Sequence, residues 1–203
     1  MTRPGVLMVV SAPSGAGKTT LCTRLKDLFS GLRESISYTT RPPRPGEIDG
    51  ISYHFTSQER FREMVAAEAF VEWAEVHGNL YGTARDTLDD ARKDGIDILL
   101  DIDCQGARSL KDQDVPAVFV FIMPPSLPEL RRRLTQRSSD AADVIERRMV
   151  RAVEEIAEAK WYDYIVVNES LDEALDSLAA ILVASRHRTP AMLPQVSKLF
   201  EQT

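Results

Sequence analysis

The apolar run Val6 to Val10 ends in Ser11-Ala12-Pro13-Ser14-Gly15-Ala16-Gly17-Lys18-Thr19-Thr20, and from Lys18 to Phe29 the residues Leu21, Leu25, Leu28 and Phe29 share one helical face. A strand, a glycine-bearing loop and a helix in immediate succession leave few folds open, because the loop must set the carboxyl end of a strand directly against a helix N-terminus. The loop fits the P-loop pattern G-x-x-x-x-G-K-S/T at every position but the first, where Ala12 stands in place of Gly. A small residue with ordinary φ/ψ preserves that entrance. In such a loop the glycines let successive N–H groups turn inward onto phosphate oxygens, the helix dipole adds to them, Lys18 reaches the terminal phosphates and the Thr19 hydroxyl ligates Mg²⁺. The competing reading is a plain Ser/Gly turn that starts a helix, and the loop alone does not choose among a kinase, an ATPase and a GTPase.

Three further short apolar runs, Ile96 to Leu100, Ala117 to Met123 and Tyr164 to Val167, are expected to be strands buried on both faces of a parallel sheet. Helical patterns lie between and after them: Thr83 to Lys93, Leu127 to Gln136, Asp143 to Lys160 and Leu171 to Ser185. Strands alternating with helices predict an α/β fold. From Ser37 to Gly82 the texture changes to a segment rich in Pro, Gly and charge, followed by aromatic, partly alternating stretches, and reads as an inserted lobe made partly of short strands. Ser138 to Asp143 is a polar break between two Arg-bearing helices.

The chain of 203 residues, 43% of them apolar and 28% charged, is long enough for a full core and too apolar for disorder. Its longest apolar run is too short to span a bilayer, and no charged start with an apolar stretch and cleavage site opens it, so the expectation is a cytoplasmic protein with no membrane partner. A net charge of -6 argues against nucleic acid as a partner while leaving room for a local basic pocket. Cys22 and Cys104 lie in no metal-binding spacing and read as reduced core thiols. His54, His77 and His187 are isolated, and no nucleophile with a partner base is present.

Asp101 follows the apolar Ile98-Leu99-Leu100 at the carboxyl end of a core strand, where a carboxylate holds or orients hydrated Mg²⁺. Asp103 lies two residues on, and a cap on the helix that begins near Gly106 is the other use for either carboxylate. No guanine-reading Asn-Lys-x-Asp follows.

Taken in order, Ser11 to Thr20, Ser37-Tyr38-Thr39-Thr40-Arg41-Pro42-Pro43-Arg44-Pro45-Gly46-Glu47, Gly50 to Phe55, Phe70-Val71-Glu72-Trp73, Gly78-Asn79-Leu80-Tyr81-Gly82-Thr83 and Leu100-Asp101-Ile102-Asp103-Cys104-Gln105-Gly106 closely resemble guanylate kinase over nearly the whole chain. The resemblance implies a P-loop nucleoside monophosphate kinase fold: a parallel sheet core flanked by helices over residues 1–36 and 84–203, a GMP-binding lobe over 37–83 and a mobile lid at about 134–147. It implies transfer of the γ-phosphate of ATP to GMP with Mg²⁺ as cofactor, ATP and GMP as small-molecule partners and dGMP as a further acceptor.

The carry-over is chemically coherent. A monophosphate beside a polyphosphate needs cations and hydroxyls around it. Arg41 and Arg44, in a Pro-stiffened loop, present two guanidinium forks, and Ser37, Tyr53 and Tyr81 add neutral donors. Guanine offers N1–H and N2–H side by side, which one carboxylate accepts; Glu72 matches, with Thr83 placed to donate to O6 and Asp103 on the same side of the site. By simple alternation Glu72 is instead an exposed strand residue. On the donor side the resemblance makes Ala12 to Thr20 the ATP loop. It makes Arg133 and Arg137 phosphate contacts, Arg148 the lid arginine and Asn168 a neighbour of the adenine, for which a turn asparagine is the alternative. Lys18, Arg41, Arg137 and Arg148 are the expected catalytic cations, and Thr19 with Asp101, the latter through water, the metal side. A monophosphate kinase of other base preference and a non-catalytic peptide-binding relative of the family remain the alternatives.

Overall fold

The computed structural model describes residues 3–76, 78–137 and 142–200, excluding the side chains of residues 137, 142 and 198–200. In chain order the elements are β1 (Leu7–Ser11), α1 (Lys18–Leu28), β2 (Leu32–Glu34), β3 (Tyr38–Thr39), β4 (His54–Phe55), α2 (Gln58–Ala66), β5 (Phe70–Val76), β6 (Asn79–Ala84) and α3 (Arg85–Lys93). The second half continues with β7 (Asp97–Asp101), α4 (Cys104–Asp112), β8 (Val118–Met123), α5 (Leu127–Arg137), α6 (Ala142–Ala157), a 3₁₀ turn at Glu158–Trp161, β9 (Tyr164–Val167), α7 (Leu171–Arg186) and α8 (Thr189–Phe200).

A five-stranded sheet runs in the order β2-β7-β1-β8-β9, and every neighbouring pair is parallel. Successive residues of its strands point to opposite faces. Met8, Val10, Leu99, Val120 and Ile122 pack on one side with Leu21 and Leu25 of α1 and Leu178 and Leu182 of α7. Val9, Leu100, Phe119 and Phe121 pack on the other with Leu88 of α3 and Ala107 and Leu110 of α4. Both faces are therefore covered, which is why these strands read as unbroken apolar runs. The exception is β9, where Ile165 and Val167 are half exposed, at 51% and 50%. Burial on both faces does not hold there, where β9 is an edge strand of the sheet.

A four-stranded sheet, β4-β3-β6-β5, forms a separate layer, with β5 and β6 an antiparallel hairpin. Helix α2 packs Phe61 against Phe70 and Leu80 on one face of this sheet. That helix is not expected from the sequence, although Ser57 caps it by accepting from the Arg60 N–H at 3.1 Å. Gly82 belongs to the same contact, since a Cβ there would meet the Phe61 and Phe70 rings at 3.0 Å.

Several expected boundaries shift. Thr83 and Ala84 end β6 and do not begin a helix, Asp103 caps α4 so that it starts at Cys104, and the helix expected to reach Lys160 tightens into a 3₁₀ turn after Ala157. A β-bulge at Val71 is the consequential irregularity: Phe70 pairs with Ala84 and Glu72 with Thr83, leaving Val71 as the extra residue. Val71 and Glu72 are consequently both buried, and the simple alternation that would expose Glu72 fails. The Gln113 side chain, at the C-terminus of α4, donates to the Val71 carbonyl at 2.8 Å and ties the bulge to the core. At the opposite end of the sheet Asp97, 2% exposed, is gripped by Arg3 through two 2.7 Å bonds and by Arg186 at 2.8 Å. Cys22 and Cys104 are buried free thiols, and burial raises both, Cys104 to about 11. Among the described residues no helix is long and apolar enough to cross a membrane.

Candidate active site

The carboxyl ends of β1 and β7 deliver the loop and its carboxylate to the same place, because Val10 pairs with Asp101. Gly15 and Gly17 adopt φ of 91° and 97°, left-handed values that a side chain resists. Ala12 has no such φ, which explains why it replaces glycine there without strain. Lys18 Nζ donates to the Ile102 carbonyl at 2.8 Å and lies 2.6 Å from Asp101 Oδ1.

Asn168 sits behind the loop, 4% exposed, donating from Nδ2 to the Ala16 carbonyl at 2.7 Å. It is neither a turn residue nor directed into the open cleft. A Cβ on Gly17 would come within 2.4 Å of that amide. Arg133 reinforces the same contact: it donates to the Asn168 carbonyl at 3.0 Å and to Ala16 O at 3.5 Å, while Glu129 holds its Nε at 2.8 Å. These bonds thus brace the loop from behind. Arg148, from α6, donates to Ser14 Oγ at 2.9 Å. The side chain of Arg137, residues 138–141 within the expected lid, and His77 lie outside the described residues.

The cleft over the loop has a volume of about 360 Å³; Ser14, Lys18, Thr19, Asp103 and Arg148 line it, joined by Arg151 and Glu155. Those last two escape sequence reading. They follow Arg148 by three and seven residues on α6 and so share its helical stripe, but mixed charges at that spacing equally describe a solvated face. Glu155 Oε1 lies 3.4 Å from Arg151 Nε, while its Oε2 is buried without a hydrogen-bond partner. Burial raises the Glu155 carboxyl, with Arg151 opposing.

Across from the loop, Glu72 and Thr83 face each other from β5 and β6, 6% and 0% exposed, and the Thr83 hydroxyl donates to Glu72 Oε1 at 2.6 Å. The single hydroxyl hydrogen of Thr83 is therefore engaged by Glu72 and is not simultaneously available to a base. Burial pushes the Glu72 carboxyl up to about 7; the Thr83 bonds pull it down and the negative charge of Asp103 pushes it further up. Asp103 combines two positions that the sequence left as alternatives: its Oδ1 accepts from Gly106 N–H at 2.8 Å as the cap of α4, and it lines the cleft above the P-loop.

Arg41 is held ready by its own loop. Its guanidinium donates to Glu47 Oε1 at 2.8 Å and to the Pro42 carbonyl at 2.7 Å, and lies 5.5 Å from the Tyr53 ring centroid. Tyr53 and Tyr81 pack edge to face at 6.0 Å. Glu47 also accepts from the Arg44 N–H at 2.7 Å, so one carboxylate ties both arginine positions together while the Arg44 side chain stays exposed. Its hydrogen bond raises the Arg41 pKa, and the same bond lowers that of Glu47. Ser37 enters β3 half-buried, its carbonyl accepting from His54 N–H at 2.9 Å.

A glycine loop with its lysine on a parallel sheet, facing a second sheet that presents paired arginine and tyrosine side chains and a buried carboxylate, defines a P-loop kinase of the nucleoside monophosphate type. The family model described as guanylate kinase matches residues 4–185, and the chain belongs to the guanylate kinase family. It is 53% identical to the guanylate kinase of Geobacter sulfurreducens over 98% of each chain, and 54% identical to that of Geobacter metallireducens over 99% of each. The crystal structure of guanylate kinase from Anaplasma phagocytophilum superposes with a TM-score of 0.75 at 35% identity, covering 94% of this chain and 91% of that one.

Proposed function

We propose the following division of labour for the reaction of this family. The chain is an ATP-dependent phosphotransferase that converts ATP and GMP into ADP and GDP. The observation that carries the acceptor assignment is the buried Glu72–Thr83 pair, because a carboxylate kept out of water needs a ligand with matching donors. Guanine N1–H and N2–H supply them; adenine presents an acceptor at the first position, and leaving such buried groups unpaired costs about 1–3 kcal/mol each. Thr83, released by base binding, turns toward O6, and Asp103 closes the same side. Ser37, Arg41, Arg44, Tyr53 and Tyr81 hold the acceptor phosphate, with Glu47 pre-orienting Arg41 so that little rotamer freedom is lost on binding.

Ala12 to Thr20 wrap the donor phosphates, and Lys18 leaves Asp101 for the terminal phosphate oxygens. Arg148 descends from α6 to the transferring group, with Arg137 beside it. Arg133 and Asn168 keep the loop in shape for the nucleotide. The Thr19 hydroxyl and the Asp101 carboxylate, both hard oxygen donors beside the phosphate loop, suit Mg²⁺ and would hold it, Thr19 directly and Asp101 through water. When bound, that ion neutralises phosphate charge. The protein's own groups align the acceptor oxygen with the γ-phosphorus and exclude water, so that GMP is the nucleophile. The working units are a core of residues 1–36 and 84–203, a lobe of 37–83 that closes on it and a lid at about 134–147. The setting is the cytoplasm, and dGMP, which differs from GMP only at the ribose, is a second acceptor.

The test is a Mg²⁺-dependent transfer assay with ATP and, separately, GMP, dGMP, AMP, CMP and UMP. Rapid product from GMP and dGMP alone supports the acceptor assignment, whereas turnover of another base overturns it and leaves the fold standing.

A further inference from the structure

Gly106 is the third residue of α4, buried, and carries no left-handed φ, so its backbone does not call for glycine. Glycine inside a helix costs stability relative to alanine, and its presence there needs another reason. The surroundings supply one. A Cβ at this position would stand 2.7 Å from Glu72 Oε2, 3.4 Å from Glu72 Cδ and 3.5 Å from Asp103 Oδ1. Real carbons do not approach an oxygen that closely, so the carboxylate would have to move. Its freedom to do so is small: the side chain is 6% exposed, its Oε1 is bonded to Thr83, and its backbone hangs from the bulge that Gln113 fastens to α4.

We propose that Gly106 is a positioning residue that sets base specificity through Glu72. The missing side chain is the slot that receives Oε2, and the N–H of the same residue holds Asp103 at 2.8 Å, so one residue places both carboxylates of the acceptor site. The slot keeps the plane of the Glu72 carboxylate turned so that both oxygens can meet paired donors once the base displaces the Thr83 hydroxyl. A methyl group in it forces Oε2 away from α4 and breaks the alignment that distinguishes an acceptor with two adjacent N–H donors from one with a single donor. This inference rests on the assignment of Glu72 to the guanine base.

Gly106→Ala is compared with the unaltered protein for kcat, for KM toward GMP and ATP, and for the ratio of kcat/KM for GMP over IMP, which keeps N1–H but lacks the 2-amino group. The expected result is a rise of tenfold or more in KM for GMP, a KM for ATP within twofold, and a fall in the GMP/IMP ratio. A purely structural role would move the two KM values together and leave the ratio alone; that outcome, or a GMP KM within twofold in a stably folded variant, overturns the proposal. Glu72→Gln separates the two layers. If it leaves the GMP KM unchanged, the guanine assignment itself falls; if it raises that KM while Gly106→Ala does not, only the role of Gly106 falls. Should Gly106→Ala fold poorly, melting temperatures of Glu72→Ala and of the Glu72→Ala/Gly106→Ala pair decide. With the carboxylate gone the added methyl should cost nothing, and an equal loss in both backgrounds refutes the slot.

Discussion

The Thr83 hydroxyl donates to Glu72 Oε1 at 2.6 Å with both side chains buried, so the carboxylate proposed to read the acceptor base is held by neutral Thr83 donors from the partner strand of its own hairpin. Thr83→Val preserves shape and removes that donor. A hydrogen bond to a charged group contributes about 1.5–3 kcal/mol, so kcat/KM for GMP should fall by about 10- to 100-fold. Steady-state kinetics with GMP varied, and then with ATP varied, should confine the loss to GMP.

The raised carboxyl of Glu72 predicts a pH dependence with a definite sign. In the folded, unliganded protein it titrates at about 7, against 4.5 for a solvated glutamate, so the folded state holds the proton more tightly. Its contribution to stability is full below pH 4.5 and is lost as pH rises to about 7, by an amount on the order of 3 kcal/mol. Glu72→Gln, which cannot ionise, should therefore melt higher than the unaltered protein at pH 8, with the advantage shrinking toward pH 5. On the proposed role of Glu72, base binding requires the charged form, so GMP should bind more tightly as pH rises through 7 and release a proton when it binds at pH 6.5. Calorimetry in buffers of different ionisation enthalpy would register that proton.

Lys18 pairs with Asp101 at 2.6 Å in a partly open setting, the two side chains being 20% and 18% exposed. Removing it should hurt chemistry far more than folding. Lys18→Ala is expected to lower kcat by a factor on the order of 10² to 10³, the range for one lost charge-stabilising donor, with a stability change of about 1 kcal/mol. GDP formation and thermal melting measured on the same preparation would check both numbers, and unchanged turnover would remove the P-loop assignment.

The converse is expected at Asp97. Burial works to raise its carboxyl, but Arg3, the Val6 N–H and Arg186 outweigh it and hold the group below the usual range. A depressed pKa stabilises the fold above the unfolded value near 4, and that contribution disappears as the solution is acidified. Asp97→Asn breaks a buried charge cluster at the far end of the sheet and should cost about 3 kcal/mol in chemical denaturation at pH 7 while leaving kcat within twofold.

The P-loop is legible in the sequence because its determinants are local: glycine spacing, a preceding apolar strand, and a lysine at the helix start. The acceptor lobe is legible as a change of texture but not in its construction. Helix α2 is short, and its capping Ser57 stands in a lobe whose sequence reads as made partly of short strands. Glu72 shows the deeper limit. Alternation would put it in water, and only the extra residue Val71, whose effect depends on pairing with Ala84 and Thr83, turns it inward. Asn168 and Arg133 likewise gain their bracing contacts from Ala16, more than a hundred residues away in the chain. In the sequence Arg151 and Glu155 match a solvated charge stripe, and only the packing of α6 beside the loop brings them to the cleft.

The bulge at Val71 has a mechanical meaning. Two successive side chains face inward there, so Val71, which anchors β5 to the core, and Glu72, the residue proposed to read the base, are separated by a single peptide. On the proposed closure of the lobe about this attachment, the Arg41–Glu47 loop would travel while Glu72 would stay close to its place. On that proposal the base is read at the fulcrum, and the phosphate is carried by the end of the lever.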